Sequence, residues 1–387
     1  MGGLAERLAD GLAALQRNNL LRHRRVLDSP QGAHAIVDGR EVLNFSSNDY
    51  LGLANHPRLR AAAHAAIDAY GVGAGASPLV TGQQRVHHDA ELRFAAFTGL
   101  PQALLFASGY AANLGILAAL CDRHAEIFAD RLNHACLNDG AILSRAAFTR
   151  YPHLDLDALA ARLAASRAEV RLVATDAVFS MDGDLAPVPE LLALCERHDA
   201  WLLLDDAHGI GVLGTGGHGV LEHFGVRSPR IVYMATLGKA LGGYGAFVGG
   251  APEVIEWLIQ RARTYIYSTA LPPMAAASAI AAMDLIDADR TIVERLRERI
   301  GDFRAAAQAG GLRLGASPSA IQPLVMKDAA QALEASAKLL DRGYCVPAIR
   351  PPSVPEGTSR LRISLCAAHT RVNVEGLARA LVESLAP

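Results

Sequence analysis

An α/β protein built on a mostly parallel sheet, flanked by helices and followed by a smaller α+β lobe, is what this sequence predicts. Three observations carry that expectation. Short apolar runs alternate with helical stretches from Pro57 to about Ala270, a pattern that pairs parallel strands through crossover helices. Two of the runs end in chemistry-bearing residues, Asp205-Asp206-Ala207-His208 and Thr236-Leu237-Gly238-Lys239, as strands do at the ligand edge of such sheets. And 387 residues exceed the ~250–300 at which one core stops growing, so two lobes are expected.

Leu4, Leu8, Leu12 and Leu15 recur at helical spacing, which predicts an amphipathic helix from residue 4 to about 24, ending in Arg22-His23-Arg24-Arg25. Strands are expected at Ala35–Val37 and Val42–Phe45, completing an N-terminal segment of residues 1–50. The large domain, 51–285, holds the apolar runs Ala103–Ala107, Glu126–Ala129, Val170–Thr175, Trp201–Leu204, Ile231–Ala235 and Ala246–Val248. In the small C-terminal domain, 286–387, Ile292, Leu296, Ile300 and Phe303 mark a helix that Gly310-Gly311 closes. A strand near Ile321–Met326 and a helix over Ala329–Leu340 follow. Strands near Cys345–Ile349 and Leu361–Leu365 come next, then a last helix with Val374, Leu377, Leu381 and Leu385 in register.

Composition excludes several function classes. A net charge of −2 gives no basic field for nucleic acid or acidic lipid, so neither is expected as a partner. The 51% hydrophobic and 20% charged content describe a soluble globular chain. Five scattered cysteines, with no Cys-x-x-Cys pair, argue for reduced thiols in the cytoplasm and against a metal site. No signal peptide or membrane span is visible.

Lys239 is one of only three lysines, against thirty-four arginines, and it stands among Gly238, Gly242 and Gly243 just after an apolar strand. A primary amine in a poorly solvated site loses its proton more easily and condenses with a carbonyl. Asp205, ending the neighbouring apolar run, is a charge that burial penalises unless a cation answers it. A protonated pyridine nitrogen is such a cation. Pyridoxal 5'-phosphate (PLP) requires both a lysine for its aldehyde and an acid that keeps its ring nitrogen protonated. His208 is within reach of the ring's phenolic oxygen, and Asp206 points to the opposite face, where a structural role is expected. Thr236 reads either as a phosphate ligand or as a turn residue. Phe106-Ala107-Ser108-Gly109-Tyr110 is a strand, a small-residue turn and a helix start, where backbone amides suit an anion. By residue type alone His134 is an ordinary histidine. Gly71-Val72-Gly73-Ala74-Gly75 follows no strand, so it is not a dinucleotide loop.

These segments, in this order, resemble the α-oxoamine synthases, a fold-type I family of PLP enzymes. The resemblance runs from Asn44-Phe45-Ser46-Ser47-Asn48-Asp49-Tyr50-Leu51-Gly52 through Val178-Phe179-Ser180-Met181-Asp182-Gly183-Asp184 and Asp205-Asp206-Ala207-His208-Gly209 to Arg360-Leu361-Arg362-Ile363-Ser364. Asp139-Gly140-Ala141 through Ser144-Arg145-Ala146, and the loop Ala348 to Pro355, resemble the family's biotin-biosynthesis branch more than relatives making 5-aminolevulinate or 2-amino-3-oxobutyrate. Two residues depart from the family pattern: Cys136 where serine is usual, and Leu154 where Tyr-x-His is usually followed by asparagine.

The resemblance implies a seven-stranded sheet, a PLP Schiff base at Lys239 and a ring-nitrogen contact at Asp205. It implies ring stacking by His134, further cofactor contacts from Ser180 and His208, and phosphate contacts from Gly109, Tyr110 and Thr236. Ser268 and Thr269 are implied to reach the phosphate of a neighbouring subunit in a homodimer with composite sites. Arg362 is implied as the amino-acid carboxylate clamp, a task suited to a planar guanidinium. Arg22, Asn48 and Ser353 match substrate-binding positions, although Arg22 also reads as a solvated helix end. The implied reaction is a decarboxylative condensation of L-alanine with a pimeloyl thioester, carried by coenzyme A or acyl carrier protein. Another α-oxoamine synthase, or a PLP aminotransferase on the same fold, is the alternative expectation.

Overall fold

The computed structural model describes residues 3–385. Their strands, in chain order, are β1 His34–Val37, β2 Arg40–Asn44, β3 Gln102–Phe106, β4 Ala125–Asp130, β5 Ala147–Tyr151, β6 Val170–Asp176 and β7 Trp201–Asp205. They continue with β8 Ile231–Thr236, β9 Ala246–Gly250, β10 Ile321–Val325, β11 Tyr344–Cys345, β12 Ala348–Ile349 and β13 Arg360–Ser364. The chain divides into two compact units. The larger comprises Asn48–Ser180 and Asp184–Leu296; the smaller comprises the segment up to Ser47, Met181–Gly183 and the segment from Arg297. Residues 1–50 were set apart by the sequence pattern, whereas their contacts group nearly all of them with the C-terminal region.

The larger unit holds a seven-stranded sheet in the order β3-β9-β8-β7-β6-β4-β5. Only β9 runs against its neighbours β3 and β8; the remaining pairs are parallel. Its central strands are apolar on both faces because helices cover both: Leu202, Leu203 and Leu204 of β7 are each 0% exposed. Full burial of such a side chain is worth roughly 1.5–3 kcal/mol, so three in a row anchor the strand that carries Asp205. On one face the helix Gly109–Leu120 lays Ala112, Ile116 and Leu117 over Leu203, Val232 and Met234. Ser108 starts that helix by accepting from the Ala111 N–H at 3.1 Å, which satisfies one orphan donor.

In the smaller unit, β10-β13-β12 form one three-stranded sheet and β1-β2-β11 another. The helix Thr291–Ala309 begins in the larger unit and continues into the smaller, and its Ile292, Leu296, Ile300 and Phe303 are buried as their spacing predicts. Val374, Leu377 and Leu381 of the last helix, Arg371–Leu385, are buried likewise.

Three elements differ from expectation. The N-terminal helix ends at Arg17 rather than near 24, because Asn18 caps it and Asn19 takes a left-handed φ of +57°, a conformation asparagine tolerates. Cys345–Ile349 is not one strand: Pro347 has no N–H to pair, so β11 joins β2 while β12 joins β13. And β5, Ala-Phe-Thr-Arg-Tyr, was missed because an edge strand is only partly buried and carries no apolar run.

Candidate active site

β7 and β8 lie side by side with Asp205 in register with Met234, so the end of β7 and the turn after β8 share the sheet's carboxyl edge. Lys239 stands on that turn, which is closed by Leu237 N–H donating to Gly245 O at 2.9 Å and Gly242 N–H to Lys239 O at 2.9 Å. Gly242 has φ +64°, and a Cβ there would lie 2.5 Å from the backbone of Leu53 and Ala54. The glycine is thus required by close backbone approach.

Asp205 is buried, and neutral donors hold both its oxygens: Asn113 Nδ2 at 2.7 Å and the Ala207 N–H at 3.0 Å. These bonds aim the carboxylate without neutralising it, which suits a cationic ring nitrogen. Beside it, in register on β6, Asp176 accepts from the His134 N–H at 2.6 Å. Burial pushes the Asp176 carboxyl well above the usual range, and the charge of Asp205 adds to this. Asp206 turns away, as expected, and accepts from Tyr233 Oη at 2.6 Å and the Val220 N–H at 2.8 Å.

His208 bridges two groups. Its Nε2 lies 2.9 Å from Lys239 Nζ, and its Nδ1 lies 2.7 Å from Tyr50 Oη. Tyr50 in turn donates to Asn48 Oδ1 at 3.0 Å, so Asn48, Tyr50, His208 and Lys239 form one polar line. His134 caps the helix Ala135–Ser144 through its Nδ1. Although the residue is exposed, its ring lies against packed groups; lost hydration lowers its pKa, opposed by the Asp205 charge and helped by that of Lys239.

Gly109 begins its helix where any side chain would strike Thr236: a Cβ would come within 2.6 Å of the threonine methyl. The helix N-terminus and the end of β8 therefore converge, with the Thr236 hydroxyl donating to Ala207 O at 3.4 Å. Tyr110 is exposed, its hydroxyl on Asp139 at 2.5 Å. Ser180 is half-buried just beyond the bridge between Val178 and Leu185. Ser268 and Thr269 line a different cavity of the larger unit, with Gln83, His87, Glu91 and Tyr265.

The smaller unit brings two predicted substrate residues together. Arg22 donates to Ser353 Oγ at 3.1 Å, both exposed, and the Arg350 guanidinium bonds the Asn19 carbonyl nearby. Arg362 is buried on β13, where one guanidinium nitrogen donates to Ser364 Oγ at 2.9 Å.

Tyr50, Asn113 and Asp176 carry no role in the sequence reading. Asp176 ends an apolar strand just as Asp205 does, a signal that was present; Tyr50 and Asn113 become visible only once the sheet edge is assembled.

The comparisons with known proteins fall on this frame. The model for aminotransferase class I and II matches residues 40–381. The chain belongs to that family. The 8-amino-7-oxononanoate synthase of Methylobacillus flagellatus is 55% identical over 374 residues, 97% of this chain and 94% of the relative. That places this chain among the 8-amino-7-oxononanoate synthases, within the α-oxoamine synthases. A solved structure of serine palmitoyltransferase from S. paucimobilis, with a bound PLP–myriocin aldimine, superposes with a TM-score of 0.93 at 29% identity, covering 99% of this chain and 98% of that one. The 8-amino-7-oxononanoate synthase of Francisella tularensis gives 0.77 at 30% identity, over 88% and 97% of the two chains. The protein is therefore a PLP-dependent transferase of fold type I, and the amine, the buried carboxylate and the convergent helix N-terminus fit that cofactor. Among the described residues no helix is long and apolar enough to cross a membrane.

Proposed function

We propose that this enzyme condenses L-alanine with a pimeloyl thioester, releasing CO2 and the free thiol carrier and forming 8-amino-7-oxononanoate. The observation that carries the site assignment is the Lys239 amine, 2.9 Å from His208 at the same sheet edge as the buried Asp205. PLP, when bound, supplies an electron sink for the pair left at the amino acid's α-carbon.

Each residue then has a task. Lys239 would hold the cofactor through its aldehyde and, with its amine freed when alanine binds, would take the α-proton at Nζ. His208 sits at hydrogen-bond distance from that amine, fixed by Tyr50, and with Ser180 would hold the phenolic oxygen. Asp205 holds the proton on the ring nitrogen. A neutral His134, its pKa lowered, stacks on the ring face without repelling that charge. Gly109, Tyr110 and Thr236 receive the phosphate at a helix N-terminus. Arg362 clamps the alanine carboxylate, and Asn48, Arg22 and Ser353 bind substrate; the Arg22–Ser353 bond supports their joint role. Ser268 and Thr269 complete the phosphate site of a second subunit, making the enzyme a homodimer. Five buried cysteines, none in a disulfide, support a reducing, cytoplasmic setting.

Two measurements test this. Borohydride reduction should fix the cofactor on the peptide bearing Lys239; label on Lys327 or Lys338 would overturn the assignment. Incubation with alanine and pimeloyl thioester should release equal CO2 and thiol, whereas a keto acid without thiol would mean transamination.

A further inference from the structure

Between the Asp205 carboxylate and the His134 imidazole runs an unbroken line of polar contacts. Asn113 Nδ2 donates to Asp205 Oδ2 at 2.7 Å and to Cys136 Sγ at 3.1 Å. Cys136 Sγ lies 2.8 Å from His134 Nδ1, and the Cys136 backbone N–H donates to the same nitrogen at 3.3 Å. The amide's orientation is dictated by charge: its oxygen facing Asp205 would set two acceptors together, so the NH2 must. That group has two hydrogens and spends one on the carboxylate and one on the sulfur. The thiol accepts from the amide and has a single hydrogen left, for which Nδ1 is the available acceptor.

Burial, reinforced by the nearby Asp205 charge, holds the thiol protonated. His134 Nδ1 then accepts from both the backbone N–H and the S–H, which puts the ring's own hydrogen on Nε2. We infer that Cys136, joined to Asp205 through Asn113, is a positioning residue that fixes the plane of His134 and adds its S–H to the backbone N–H in holding the Nε2–H tautomer. This rests on the reading that PLP lies against His134 and Asp205; the line of contacts would hold the group on the ring's face and the group at its nitrogen in one fixed relation. Serine, usual at this position, offers the same donor and acceptor, whereas alanine offers neither.

The test is histidine 15N NMR of the holoenzyme, with the His134 signal assigned by its loss in His134→Gln, together with the PLP dissociation constant. Wild type should show the Nε2–H tautomer near neutral pH. Cys136→Ser should keep that tautomer and hold the dissociation constant within about twofold, since the hydrogen bonds are replaced in kind. Cys136→Ala, which keeps the backbone N–H, should leave Nε2–H the larger population but admit a minor Nδ1–H tautomer, and should raise the dissociation constant about fivefold, the factor expected for one lost hydrogen bond. In a His134→Ala background, Cys136→Ala should add nothing further. An unchanged tautomer in Cys136→Ala, or the same fivefold loss without His134, reduces Cys136 to packing and overturns the inference. If the reduced adduct instead maps away from Lys239, the cofactor reading fails while the tautomer result stands.

Discussion

Lys239, Asp205 and His208 hang from the ends of strands whose side chains are almost wholly buried, whereas Arg22 and Ser353 meet on exposed, irregular segments of the smaller unit. In the first group Asp205 is held by Asn113 and Ala207, and His208 links Tyr50 to Lys239. The second is held by one bond between solvated side chains. Arg362 is intermediate, a guanidinium buried within a strand of the smaller unit. Chemistry on the reacting carbon requires sub-ångström placement, which a buried strand end provides. The substrate role proposed for the exposed Arg22 requires less.

That contrast predicts graded effects. Asp205→Ala should lower kcat by about 10²–10³, since it removes a fixed charge from a desolvated site; near-normal turnover would take Asp205 off the ring nitrogen. Arg362→Ala should raise the alanine KM about 10–100-fold, the loss of a charge-assisted pair, with cofactor retention little changed. An unchanged KM would reject the clamp.

A stability effect of similar size is expected at His153, which lies 3.0 Å from Asp130 and 2.8 Å from Asp184. Burial disfavours its charged form, but hydrogen bonds and charges from Asp130 and Asp184 outweigh this and raise its pKa to about 10. The folded state thus binds a proton more tightly than the unfolded one. Its contribution is complete below about 6.5 and fades as pH rises toward about 10. Denaturant titrations of wild type against His153→Gln should converge by roughly 2 kcal/mol across that window; parallel curves would exclude the linkage.

Arg22→Ala should change the acyl-thioester KM only about two- to fivefold, as expected of a solvated contact. A hundredfold loss there would break the comparison between the two regions outright. Smallest of all, Leu154 has φ +57°, a left-handed conformation that strains leucine, at the position where its family usually has asparagine. Leu154→Asn should stabilise the fold by about 0.5–1 kcal/mol, read as a raised thermal midpoint; a lowered midpoint would mean that packing of the leucine outweighs its strain.

Much of this was legible in the sequence because burial and periodicity are local. Apolar runs marked six of the seven strands of the large sheet, and helical spacing marked Leu296, Ile300 and Phe303 as core. Strand-terminal residues Asp205 and Lys239 stood out because a charge after an apolar run demands a reason. The N-terminal helix shows the limit: its leucine stripe predicts helix, but every one of those leucines is exposed, so no packing extends it past the Asn18-Asn19 stop.

By itself, the sequence determined the layered α/β architecture and the family, and it singled out the candidate reactive residues, since each depends on residue type and spacing along the chain. Only the tertiary structure decided which of them touch. Tyr50 meets His208 across 158 positions and Asn113 meets Asp205 across 92. Such contacts depend on how parallel strands align their ends and how helix termini converge on that edge, which no local pattern encodes.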